Sequence, residues 1–199
     1  AIESEASEEE KKKRLAANTG NQPLNISGRL SLRAVCVDRM SGKLLHDIEL
    51  LSEDSPEPIH ALNSFASPSP VIENGRLYCH FGTNGTACLD TQTGKLAWTN
   101  RELRLNHENG PGSTPMLFGD LLIIHCDGSD TQYVAALDKL TGKVVWKTPR
   151  SGTMDPNPQL KKAYGTPLVT ELGGQPTVIS PGADWLYAYD PESGRELWK

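Results

Sequence analysis

The chain has 199 residues, a formal net charge of −5, and 18 Gly and 14 Pro against only 6% aromatic residues. That composition suits a turn-rich globular β protein of one large or two small domains. No basic stripe stands out, which argues against a nucleic-acid partner. No apolar run approaches the roughly 18 residues that a membrane-crossing helix needs.

Residues 1–28 form a charged lead-in, expected to be helical or disordered. Ser7 followed by Glu10 makes a capping box, and Glu8–Lys12, Glu9–Lys13 and Glu10–Arg14 are favourable i,i+4 pairs. These predict a solvated helix over about residues 8–18 with Gly20 as its stop. Residues 29–50 predict a first hairpin, with strands near 31–37 and 43–49, as an incomplete unit. Residues 52–60 are an acidic, Pro-bearing connection.

Three fuller units follow, near 66–104, 112–150 and 164–199. Each opens on Ser69-Pro70-Val71, Thr114-Pro115-Met116 or Thr166-Pro167-Leu168. Tight-turn pairs come next: Asn74-Gly75, Gly119-Asp120 and Gly173-Gly174. Second strands are predicted at 77–81, 121–126 and 177–180. Glycine-bearing loops then lead to a third strand and a final hairpin.

That final hairpin is the best-defined sequence in the chain. Ala136 to Trp146 reads ALDKLTGKVVW, Cys88 to Trp98 reads CLDTQTGKLAW, and Ala188 to Trp198 reads AYDPESGRELW. Cys36 to His46, CVDRMSGKLLH, is a fourth copy with His in place of Trp. The copies recur about every 50 residues, the mark of a repeat architecture. In each, the Asp carboxylate can bond backbone N–H groups ahead of it, and Gly42, Gly94, Gly142 or Gly194 supplies the positive φ that closes the loop. A Trp ending the second strand covers a large area and needs one partner for its N–H, so it reads as a plug between neighbouring units.

Four short antiparallel strands per unit form a meander, which predicts an all-β fold. The expected architecture is a partial β-propeller over residues 29–199, with three full blades plus half of one. The motif A-x-D-x-x-[TS]-G-[KR]-x-x-W resembles the tryptophan-docking repeat of the pyrroloquinoline quinone (PQQ)-binding-like propeller superfamily. That superfamily includes quinoprotein alcohol dehydrogenases and the lipoprotein of the outer-membrane β-barrel assembly machine. The wording around residues 60–90 is similar to envelope propellers of planctomycete-type bacteria. The resemblance implies a periplasmic, secreted or cell-envelope location. It implies a docking role for Trp98, Trp146 and Trp198 against neighbouring blades near Gly94, Gly142 and Gly194, with a weaker or differently packed seam at His46. The first residue is not Met and the last falls inside a strand pattern, so the sequence reads as a piece of a longer protein.

Chemistry would have to lie in the less regular loops. His80 and His125 occupy the same position at the end of the second strand in successive units, where the next unit has Ser180. His60 and His107 lie in the connections between units, with Asn63, Glu108 and Asp127 close in sequence. These seven polar residues are the ligand-binding candidates. A solvated polar rim is the favoured reading; a ligand pocket and a metal site are the alternatives. No metal-ligand motif such as H-E-x-x-H is present, so no metal ligand or catalytic residue is assigned. The superfamily's dehydrogenases imply an adjacent Cys-Cys pair, a Trp floor and a carboxylate set holding calcium. Here Cys36, Cys79, Cys88 and Cys126 are dispersed and read as buried small thiols, and Trp185 lacks a stacking context. Ser64 and Ser113 have no triad partners.

The function expected is a non-catalytic binding or assembly module of the bacterial cell envelope, with a protein or polysaccharide partner. The alternatives are a PQQ-dependent dehydrogenase, with PQQ implied by kinship only, and a metal- or carbohydrate-processing enzyme using the histidine face.

Overall fold

The computed structural model describes residues 1–17 and 22–199. Gly20, the expected helix stop, lies outside the described residues. The elements run β1 (Ile2–Glu5), α1 (Glu8–Ala17), β2 (Leu24–Asn25), β3 (Ser27–Val37), β4 (Leu44–Asp54) and β5 (Ile59–His60). The second sheet holds β6 (Val71–Glu73), β7 (Arg76–His80), β8 (Thr86–Asp90) and β9 (Leu96–Asn100). The third holds β10 (Met116–Phe118), β11 (Leu121–Asp127), β12 (Gln132–Asp138) and β13 (Val144–Pro149). The fourth holds β14 (Leu168–Leu172), β15 (Gln175–Pro181), β16 (Leu186–Tyr189) and β17 (Glu196–Trp198). Each of these three sheets is a four-stranded antiparallel meander in sequence order. The arrangement is a partial β-propeller with one short helix.

The first sheet departs from the two strands expected. Ile2–Glu5, inside the charged lead-in, pairs antiparallel with Ser27–Leu30 and makes the order β1-β3-β4. Its strand character is invisible locally, because the alternation is short and acidic and all four residues stay exposed. Pairing between residues 22 to 28 apart in sequence, reinforced by Arg29 bridging Glu3 and Asp54 at 2.8 Å each, decides it. The helix forms where the capping box predicts, with Ser7 Oγ accepting from Glu10 N at 3.2 Å.

Each docking hairpin folds through local bonds. Asp138 Oδ1 accepts from Leu140 N at 3.0 Å and Thr141 N at 2.7 Å, and Asp38, Asp90 and Asp190 do the same two and three residues ahead. The hydroxyl of the residue three ahead, foremost at Asp38 and Asp138, and these backbone bonds, foremost at Asp90 and Asp190, hold all four carboxyls below the usual carboxylate range. Gly142 closes the turn at φ +73°.

Three apolar clusters fill the three gaps between successive sheets. Leu30, Leu32, Ile48 and Leu51 meet Phe81, Ala87 and Leu89 in the first gap. Tyr78, Cys88 and Trp98 meet Leu122, Ile124 and Leu137 in the second. Ile123, Ala136 and Trp146 meet Val178, Tyr187 and Tyr189 in the third. Alternation along each strand sends successive side chains into opposite gaps, which is why the strands read as nearly continuous apolar runs.

The seams themselves are specific. Trp98 Nε1 donates to Lys139 O at 3.0 Å, and its ring lies so close to Gly142 that a Cβ there would sit 2.4 Å from it. Trp146 Nε1 donates to Pro191 O at 3.0 Å over Gly194 in the same way. At the first seam His46 stays exposed, and Ile48 alone approaches Gly94. A second tie lies toward the first strands of the sheets. Thr114 Oγ1 accepts from Ser69 N at 2.9 Å, and Thr166 Oγ1 accepts from Thr114 N at 3.1 Å. The Ser/Thr-Pro pairs that open each unit therefore also link neighbours.

Candidate functional site

The second strands β7, β11 and β15 finish on one face, with His80 at the end of β7, His125 two residues before the end of β11 and Ser180 one before the end of β15. The fourth strand of a meander runs the same way as the second, so Arg150, just past β13, reaches that face too. The connection over residues 151–166 folds against it, with a bridge between Asp127 and Ala163. Lys162 pairs with Glu108 at 2.6 Å, and Tyr164 donates to His107 O at 2.8 Å.

At its centre, Arg150 Nε lies 3.0 Å from Asp127 Oδ1 and Nη2 lies 2.9 Å from Oδ2, a bidentate pair. Asp127 Oδ2 is also 2.9 Å from His125 Nε2. Arg150 Nη2 reaches Ser180 Oγ at 2.9 Å and His125 Nδ1 at 3.0 Å. Because the Asp127 carboxylate can only accept, Nε2 of His125 donates to it and Nδ1 is left as the acceptor, facing both Arg150 Nη2 and Ser180 Oγ, the latter at 3.2 Å. The Arg150 and Asp127 side chains are 0% and 1% exposed. The guanidinium stacks 4.6 Å from the Tyr187 ring. Burial opposes the Arg150 charge, but Asp127 more than offsets it and the guanidinium is held further toward its protonated form.

Next to it lies a second cluster with different bonding. His80 Nδ1 is 2.9 Å from Thr86 Oγ1, and His107 Nε2 accepts from Thr83 N at 3.2 Å. Burial pushes His80 down to about 3, with His107 adding to the effect, and pushes His107 down to about 4. Asp130 favours charge on His107, and His125, to a smaller extent, disfavours it. His107 Nδ1 and Ser113 Oγ are buried without a partner among the described residues.

The other candidates point elsewhere. His60, in β5, accepts from Leu62 N at 3.1 Å. Asn63 donates to Asn109 O at 2.6 Å and straps the connection over residues 61–67 to the one over 106–111. Glu108, at φ +56°, lines an open depression of about 490 Å³ with Arg14, Leu24, Glu57 and Asn106. Burial, and secondarily Asp130, raises the Glu57 carboxyl in that depression. The structure thus gathers His80, His107, His125 and Asp127 into contiguous buried clusters and leaves His60, Asn63 and Glu108 as loop straps. Reasoning from the sequence missed Arg150. A signal existed, since an Arg follows the docking Trp closely in two copies, at Arg101 and Arg150.

The cysteines divide. Cys79, Cys88 and Cys126 are buried free thiols, with Cys79 and Cys126 pushed up to about 12 by burial. Cys36, also expected to be buried, is exposed, because its cross-strand partner is His46 rather than a covering Trp.

Comparison with known proteins decides the kinship. A sequence profile of the family described as outer membrane protein assembly factor BamB matches residues 19–178 and again 130–199. The chain belongs to this family. Quinoprotein ethanol dehydrogenases from Pseudomonas aeruginosa and Pseudomonas putida are similar at 29% identity over 138 residues and 30% over 142. Each match covers 64% of this chain, yet only 22% of the length of those curated relatives. The solved structure of BamB from Moraxella catarrhalis overlays 89% of the chain and 49% of its own length, with a TM-score of 0.54 at 17% identity. Such a likeness speaks for the propeller fold.

Kinship with quinoproteins makes PQQ the cofactor to test against these residues, and they do not form its site. The Asp127 carboxylate that could serve a metal or a reacting group is closed by Arg150 and His125. The buried thiols lie on three separate strands. The Trp185 indole is committed, donating to Thr153 O at 3.1 Å with Gly152 against its ring. Among the described residues, no three His, Cys, Asp or Glu side chains converge as a metal site. No helix among them is long and apolar enough to cross a membrane.

Proposed function

We propose that this chain is a non-catalytic binding and assembly module of the bacterial cell envelope, a propeller whose loops engage a protein partner. One observation carries the reading. On that face His125, Asp127, Arg150 and Ser180 bond one another inside the protein, and His80 and His107 are buried with their charged forms disfavoured. A general base must present a free lone pair to a reacting proton, and Asp127 has none directed outward. The family's description, outer membrane protein assembly factor, supports a protein partner and an envelope location. A polysaccharide would use the same loops and is the alternative occupant.

The second reading, a PQQ-dependent oxidoreductase, is favoured by the dehydrogenase relatives alone. Gel filtration of the protein after incubation with PQQ and calcium separates the two. The assembly reading expects no quinone absorbance in the protein peak and no dye reduction with alcohols. Retained quinone with turnover would overturn it.

A further inference from the structure

Two cavities beside the histidine cluster share a wall. One is the open depression of about 490 Å³ that Glu108 lines, and next to it lies a small chamber of about 10 Å³. Glu57 and Pro58 line both, so the chamber is a side room of the depression. Its other walls include His107, Thr83, Asn84 and Pro111. A space of this size takes about one oxygen atom with its hydrogens.

His107 brings to that chamber a bond it has not made. The ring is 8% exposed. Its Nε2 accepts from Thr83 N at 3.2 Å, and burial keeps the ring neutral at pH 7. A neutral imidazole has one donor and one acceptor, so Nδ1 carries the proton. Nδ1 has no partner among the described residues. A Cβ on Gly82 would meet Nε2 at 2.2 Å and Cδ2 at 2.8 Å, so that edge of the ring faces Gly82 and Nδ1 lies on the opposite one. A buried N–H without an acceptor is rare and calls for an explanation.

Glu57, in the same wall, offers the opposite chemistry. Burial, and then Asp130, disfavour its charged form, with Arg104 opposing them. A hydrogen-bond donor there would stabilise the carboxylate. A hydroxyl answers both groups, because its oxygen accepts from the His107 N–H while its proton goes to a Glu57 oxygen. A cation meets the His107 N–H with the wrong sign, and an anion meets Glu57 with the wrong sign. Around the chamber, the depression presents Arg14, Gln22, Asn106 and Glu108, donors and acceptors for further hydroxyls. Pro56, Pro58 and Leu24 add apolar surface for C–H faces. The volume falls within the roughly 300–1,000 Å³ of small-molecule sites.

We infer that the depression is a binding site for a neutral saccharide, one hydroxyl of which enters the chamber between His107 Nδ1 and Glu57. The site goes beyond the assembly reading and does not depend on it, since a protein partner has the other loops to engage. Failure of one therefore leaves the other standing.

The test follows the His107 ring N–H of the full chain by nitrogen-resolved NMR at pH 7, its signal identified by its loss in His107→Gln. Glucose, galactose, N-acetylglucosamine or cellobiose is added, with trilysine as the cationic comparison. At least one sugar should shift the signal saturably and slow its exchange with solvent. Glu57→Ala should weaken the apparent Kd for that sugar by at least about 10-fold, the loss of a hydrogen bond to a charged group. Glu57→Gln keeps an acceptor oxygen and should lose less. Glu57 lies outside all three apolar clusters, circular dichroism checks that both variants fold, and the wild-type titration stands without them. A signal that no sugar moves, water alone then serving the two groups, would overturn the inference. So would a shift produced by trilysine and by no sugar, or sugar binding that Glu57→Ala leaves unchanged.

Discussion

The second and third sheets are built to one plan, yet they treat the same histidine in opposite ways. His80 and His125 both lie near the end of a second strand, at its last residue in β7 and two residues before it in β11, and an arginine follows the docking Trp in both. In the third sheet Asp127, two residues past His125, captures Arg150 and the imidazole into one buried network. In the second sheet the matching position is Gly82, and Arg101 turns away to Glu53 and Ser52 O of the first sheet. His80 is left with a threonine. One residue decides the outcome, and the neighbourhood explains the residue. A Cβ on Gly82 would meet His107 Nε2 at 2.2 Å, so no carboxylate fits there. A single bond pattern is therefore lost at one blade for steric reasons and retained at the next.

The largest expected effect breaks the better-bonded side of that comparison. Asp127→Ala leaves a fully buried guanidinium without its counter-charge and should cost about 3–5 kcal/mol by chemical denaturation. Replacing both partners, Asp127→Leu with Arg150→Met, should recover most of that loss, because the unpaired charge and not the missing bond dominates. A double variant as unstable as the single one would mean the network positions the loops rather than merely satisfying itself.

Acid should break the other side. His80 and His107 titrate in the folded state at about 3 and about 4, below the value near 6.5 expected when unfolded. The native state thus binds fewer protons than the unfolded one as pH falls below about 6.5. Stability contributed by the two neutral rings is full above that pH and drains as it falls, down to the folded values. Each histidine should cost roughly 1.4 kcal/mol per pH unit, about 3 kcal/mol by pH 4. Denaturation curves at successive pH values test this, and His107→Gln should remove about one proton from the slope.

Smaller effects sharpen the contrast. Gly82→Asp, which copies the third sheet into the second, should destabilise by about 1–3 kcal/mol through overpacking against His107 instead of creating a second network. Ser113→Ala deletes a buried hydroxyl that has no partner among the described residues. It should be neutral or stabilising by up to about 1 kcal/mol, as thermal melting would show.

Legibility in the sequence followed the reach of the bonds. The docking hairpin was readable because Asp138 bonds groups two and three residues ahead and Gly142 closes the same turn. Repetition then named the plug and its neighbour, and the Trp rings sit on Gly142 and Gly194. Of the seven candidate polar residues, the structure buries His80, His107, His125 and Asp127, and the sequence could not say which of them meet. Arg150 bonds groups 23, 25 and 30 residues away, and no local pattern marks such a pairing. The first strand, Ile2–Glu5, was missed for the same reason, since its partner lies beyond a helix.

By itself, the sequence determined the repeat, the turn chemistry, the propeller class and the His-for-Trp departure at the first seam. Only the tertiary structure decided that Ile48 takes up part of that seam, that Cys36 is exposed, and that His125 and Asp127 bond Arg150. The physical reason is common to all three. Local bonds are written within a few residues and recur with them, whereas burial and long-range pairing depend on which sheet arrives alongside.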